Sequence, residues 1–248
     1  MDDGKKLNYF ELVNKAYDFY KANWQGLLKY GGIFFIIMTL AQVPIVVYLF
    51  SQGYGENTDL IKFFKKLSAN SLAVIFMLSV VTQLIGVCLI TGLIRIVGAM
   101  IEEKQHSAAT LTNCSDCFWK VLGCYFAMHI AALVPVFAAE VLGLGGIAGG
   151  TGTVIAFGIS AYLVMRMIFA LFFIAETKMT VRESVLSSLA MTGSEHGLML
   201  KLILTVFAAF LLTLYTYGFA TVIVMPFMGC IFTFVFRKLK QIKTKKPE

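Results

Sequence analysis

Charge is what this sequence has least of. Of its 248 residues only 14% are charged, while 58% are hydrophobic and the mean hydropathy is +0.80. A soluble domain carries about 25% charged residues, so this composition excludes one and identifies a membrane protein. Acidic residues are scarcer still, 14 against 21 lysines and arginines, for a formal charge of +7. That excess does not make a nucleic-acid binder. The basic residues gather at the ends of apolar runs and in the tail Arg237, Lys238, Lys240, Lys243, Lys245 and Lys246, with no aromatic-interleaved groove to hold a strand. They read as lipid headgroup contacts and orientation signals.

The chemistry of sites is thin as well. Five cysteines, Cys88, Cys114, Cys117, Cys124 and Cys230, do not form a secreted disulfide framework, because none falls in a loop expected outside the cell. Cys114-Ser115-Asp116-Cys117 with Cys124 is the most suggestive pattern, since such a pair binds zinc or cycles redox state elsewhere. The second pair is missing, however, and His106 and His129 are too far along the chain to complete a site. Small cysteines also pack well on an apolar face. No metal and no cofactor is therefore expected. Gly143 to Gly152 lacks the Lys-Ser/Thr of a phosphate loop and reads as a turn. There is no Ser-His-Asp order, no His-Glu-x-x-His helix and no pair of carboxylates facing a pocket, so no enzyme is expected. The N-terminus lacks the marks of a signal peptide: Asp2, Asp3, Glu11 and Asp18 interrupt a basic region, and the first apolar run is expected to stay in the mature protein.

What is present is long apolar runs, each introduced by an amphipathic stretch. In Phe10 to Tyr30, Phe10, Val13, Tyr17, Tyr20, Trp24 and Leu27 recur at steps of three and four, and Glu11, Asn14, Lys15, Asp18, Lys21 and Gln25 take the other face. That pattern predicts a helix lying on the membrane surface and feeding a spanning helix. Spans follow at about 27–50, with Gln42 and Pro44, and from about Ser71 to Ile101, separated by the polar connection 51–68. Leu111, Cys114, Phe118, Val121 and Tyr125 predict a second surface helix leading into a third span at about 121–142, which holds His129, Pro135 and Glu140. The glycine turn leads to a fourth span ending near Ala175. Lys178 to Gly197 is the third surface element, with Val181, Val185 and Leu189 on one face. The apolar run from Leu198 to Phe236 would reach about 58 Å as one helix against a hydrocarbon core of about 30 Å, so it folds back at Tyr215-Thr216-Tyr217-Gly218. Pro226 lies in the sixth span.

The arginines of the even-numbered spans, Arg95, Arg166 and Arg237, recur at an interval of 71 residues, and Thr110 and Val181 keep the same step. The expected architecture is all-α, with six transmembrane helices as three repeated hairpins, each preceded by an interfacial amphipathic helix. It is a single membrane domain over 1–248, with units at about 7–101, 107–177 and 178–240 and a basic tail at 237–248. Because lysines follow Arg237, that arginine belongs at the membrane surface, and equivalence places Arg95 and Arg166 there too. Of the 21 basic residues, 18 fall on the side of the termini, so both termini are expected in the cytoplasm.

Three stretches carry a resemblance: Ala170 to Leu202 (ALFFIAETKMTVRESVLSSLAMTGSEHGLMLKL), the arginine-ended last span (GCIFTFVFRKLKQIK) and TGLIRIVGAMIEEKQHSAATLT. They resemble the YciC-like family of bacterial inner membrane proteins over most of the chain, most specifically over Lys178 to Gly197. Ser194, Glu195 and His196 stand where that family has an aromatic residue and an asparagine. The resemblance implies a multi-pass plasma-membrane protein whose activity is not established.

The residues leave two functional readings open. In the first, Arg95, Arg166 and Arg237 hold anionic lipid headgroups on the cytoplasmic leaflet of a non-enzymatic protein that organises lipid or scaffolds membrane protein partners. The plainer alternative is that these arginines end helices by the positive-inside rule. In the second, a small transporter or channel, His129 and Glu140 share a face of the third span and line a path. Oligomeric state is not legible.

Overall fold

A computed structural model describes residues 8–55, 62–63, 66–141, 151–216 and 218–244. Ten helices and no strand lie among them: α1 (Tyr9–Ala22), α2 (Trp24–Ser51), α3 (Ala69–Ile101), α4 (Ala108–Thr112), α5 (Phe118–Val141), α6 (Thr151–Met167), α7 (Phe169–Thr177), α8 (Val181–Thr192), α9 (His196–Tyr215) and α10 (Thr221–Thr244). Six stretches are long and apolar enough to cross a bilayer: α2, α3, α5, the α6–α7 run, α9 and α10. The chain is an all-α membrane protein. Residues 143–150 of the expected glycine turn and 56–61 and 64–65 of the 51–68 connection lie outside the described residues.

The opening amphipathic stretch is not one rod. Asn8 caps α1 by accepting from the Phe10 N–H, and Asn23 ends it by returning its own N–H and side-chain Nδ2 to the Phe19 carbonyl. Its carbonyl then accepts the Leu27 N–H and starts α2, which makes an elbow. The buried stripe of α1 is Tyr9, Leu12 and Ala16. Phe10, Tyr17 and Trp24, three of the apolar residues expected on the membrane-facing side, are exposed. α1 serves two apolar neighbours. One flank meets α10, with Phe19 against Phe234 and Tyr20 against Phe227, and the other presents rings outward.

The second surface helix is also shorter than expected. Only Ala108–Thr112 is helical, a turn of chain follows, and Phe118, Val121 and Tyr125 already belong to the third span. The cause is a close approach. A Cβ on Gly92 of α3 would lie 2.1 Å from the Leu111 carbonyl oxygen, so the main chain of α4 rests directly on α3 and Leu111 is wholly buried. Gly31 does the same for the third hairpin, since its Cβ would meet the Val222 carbonyl at 2.0 Å.

In α8 the buried residues are Ser184, Ser188, Met191 and Thr192 rather than the face of Val181, Val185 and Leu189. The Ser188 hydroxyl donates to the Arg166 carbonyl at 2.5 Å, and the helix of the fourth span breaks there into α6 and α7. A side chain inserted into the ladder, not a proline, makes this break.

The core collects at the end of the bundle that carries α1, which we term the terminal end. Phe169, Phe172 and Phe173 of α7 surround Phe236 of α10, with Ile96 and Val97 of α3 and Leu27 of α2 fully buried nearby. α10 crosses α3 obliquely: Gly229 touches Leu93 and Val97, whereas Val222 and Pro226 have moved over to Gly31 of α2. Phe219, at the turn of the third hairpin, meets Phe35. Beyond Phe35, α2 continues to Ser51, about 24 Å farther.

Candidate functional site

Each repeated arginine is held by protein groups. Arg95 donates from Nη1 to the Asn113 carbonyl at 3.1 Å and to Asp116 Oδ1 at 2.9 Å, and from Nη2 to Asp116 Oδ2 at 3.0 Å and Cys117 Sγ at 3.3 Å. Arg166 donates from Nη2 to the Leu189 carbonyl at 2.7 Å and from Nε to Thr192 Oγ1 at 3.2 Å, beneath the Tyr162 ring. Arg237 donates to the Gly98 carbonyl at 3.1 Å and to Glu102 Oε1 at 2.7 Å, with Glu176 at 3.9 Å. Arg95 and Arg166 thus tie a span to the short helix that follows it, and Arg237 ties the last span sideways to the second and fourth. A lipid headgroup would meet a guanidinium already engaged, although Nη1 of Arg166 and Nη1 of Arg237 have no hydrogen-bond partner among the described residues. The Arg95 fork holds the Asp116 carboxyl below the usual aspartate range, and Lys104 beside Glu102 does the same for that glutamate.

Beneath Arg95 the cysteines converge. Cys114 and Cys117 are buried with their sulfurs 3.4 Å apart. Hydrogen bonding to Cys88 and burial push the Cys114 thiol up, and burial pushes Cys117 up against the opposing pull of Arg95. Both remain protonated thiols at neutral pH, the inert form. No group of three metal-ligating side chains was found among the described residues.

The Glu140 side chain lies outside the described residues. His129 is tied at both ring nitrogens, Nδ1 to the Tyr125 carbonyl and Nε2 to Gln83, each at 3.0 Å, and Tyr125 Oη meets the same Gln83 oxygen at 2.5 Å. Gln83 is exposed on the outside of the bundle. Sequence reasoning passed over Gln83, although a glutamine near the middle of a long apolar run was a legible signal.

Also missed was a crevice of about 360 Å³ between α3, α7, α9 and α10. Leu93, Phe172 and Phe232 line one end, and Phe210, Thr213 and Thr221 the other. From Thr221 to Phe232 is about 16 Å along α10. Thr213 spends its hydroxyl on the Ala209 carbonyl of its own helix, so the lining is hydrocarbon with almost no hydrogen-bonding demand. Such a slot draws contributions from four helices and has no sequence motif.

The fold and these sites define a multi-pass integral membrane protein. No family model, curated protein or solved structure matches the chain.

Proposed function

We propose that this protein is a non-enzymatic organiser of membrane lipid that seats an acyl chain between α9 and the rest of the bundle. The apolar crevice carries this reading. An empty slot of that volume forfeits dispersion contacts along its walls, and in a bilayer the molecule at hand to restore them is a lipid chain. Its length of about 16 Å matches one leaflet of a hydrocarbon core about 30 Å thick. The outward rings of α1 and the basic residues beside them suit a leaflet rich in anionic headgroups, and Arg166 and Arg237 each keep an Nη1 with which to meet one. The resemblance to the YciC-like family would place this work in a bacterial inner membrane, with both termini cytoplasmic.

The test fills the slot. Wild-type protein and Ala209→Phe are exchanged extensively into mild detergent, and retained phospholipid is counted by native mass spectrometry. The wild type should keep at least one lipid more than the variant. Equal counts from two equally folded proteins would sink the reading.

A further inference from the structure

Polar side chains on the lipid-facing surface near the middle of a membrane helix are rare, because no water is there to satisfy them. Gln83 lies close to the midpoint of α3, and His129 close to that of α5. The two helices bring Gln83, Tyr125 and His129 into one cluster, with Gln83 exposed. Its rim is greasy: Phe76, Met77, Phe126, Ile130 and Leu133 are all exposed.

The hydrogen bonds of this cluster do not close. With Gln83 Oε1 accepting from Tyr125 and His129, both amide N–H groups are left without a partner among the described residues. With a neutral ring, Nδ1–H donates to the Tyr125 carbonyl and Nε2 must accept. The amide then turns, its NH₂ meets Nε2 and Tyr125 Oη, and its carbonyl oxygen is left instead. Either way an amide group faces hydrocarbon, at a cost of a few kcal/mol.

We propose that this patch is a self-association surface, and that its occupant is the same patch of a second copy. A partner must offer a group that both donates and accepts, and must offer it at the depth of Gln83. A copy related by a twofold axis along the membrane normal meets both conditions by symmetry, since Gln83 lies at one depth in each and amide pairs with amide. Lipid headgroups do not reach that depth. The surrounding aromatic and aliphatic side chains supply contact area on either side of the pair.

The experiment counts copies by single-molecule photobleaching of labelled full-length protein in liposomes over a range of protein-to-lipid ratios. The wild type should dimerise, and Gln83→Leu should raise the dissociation constant by about tenfold or more. Gln83→Asn should retain much of the dimer, which separates a lost hydrogen bond from a misfolded variant. Oxidation should link Met77→Cys, on the rim with Gln83 intact, into a covalent dimer and leave Phe207→Cys, on α9, unlinked beyond the wild-type background. A wild type that stays monomeric at every ratio overturns the proposal, even if some other protein or a carbonyl-bearing isoprenoid is captured through Gln83. So does equal dimerisation of Gln83→Leu, or cross-linking at residue 207 in place of 77.

Discussion

The two ends of this bundle are built on different principles. At the terminal end, fully buried residues come from α2, α3, α7 and α10, and the arginines stitch helix to helix through backbone carbonyls. In the far part of the first hairpin, Leu40, Val47, Phe50, Phe76 and Met77 are all exposed. The same kinds of residue occur at both ends, so composition does not decide which are packed. Glycines and hydroxyls do: Gly92, Gly31 and Ser188 let main chain be approached closely, as do Thr82 against the Ala41 carbonyl and Ser160 against the Ala132 carbonyl. Where bulky side chains face outward, lipid is the neighbour.

The sharpest way to break this contrast is to remove one ring from the packed region and one from a lipid-facing surface. Phe236→Ala, at the centre of the packed rings, should destabilise the protein by about 3 kcal/mol, while Phe207→Ala, on the exposed face of α9, should change stability by under about 0.5 kcal/mol. Chemical unfolding in a mild detergent reads both. Comparable losses would mean that the two regions are packed alike. A somewhat smaller effect is expected from adding bulk. Gly92→Val forces the Leu111 main chain away and should cost about 2 kcal/mol, whereas Gly32→Val, with no atom within 4 Å of the new Cβ, should be nearly neutral.

The smallest effect concerns the ion pairs at the terminal end. Asp116 titrates below its ordinary value of 3.8, chiefly through the hydrogen bonds from Arg95. A depressed carboxylate stabilises the fold above its unfolded value and loses that contribution as pH falls through its folded value. Stability should therefore hold from pH 7 to about 5 and weaken below about 4, by under about 1 kcal/mol for this half-exposed pair. Asp116→Asn should flatten that acid limb while leaving Phe236→Ala as damaging as before. An acid limb unchanged by the substitution would show that Arg95 adds nothing to stability through its charge.

Much of this was legible in the chain. The spans follow from apolar run length, and the turn of the third hairpin from Gly218. What escaped was the partner of each element. Periodicity reports that α1 and α8 have faces but not which face meets protein, because a membrane helix has apolar neighbours on several sides. It therefore marked Phe10, Tyr17 and Val185 as apolar but did not reveal that Leu12, Ala16 and Ser188 are the residues buried against protein. The arginine clasps were hidden for another reason: each includes a backbone carbonyl, that of Asn113, Leu189 or Gly98, and every residue possesses one. The crevice was hidden because its walls come from four separated stretches of ordinary hydrocarbon.

The contact of α1 with α10 imposes an order on biosynthesis. α1 is made before α10, so its flank of Phe19 and Tyr20 lacks the rings of Phe234 and Phe227 until more than two hundred further residues have been made. Until then the outward rings Phe10, Tyr17 and Trp24 can keep the nascent segment afloat at the bilayer surface. The arrival of Phe227 and Phe234 then closes the molecule in a single late event.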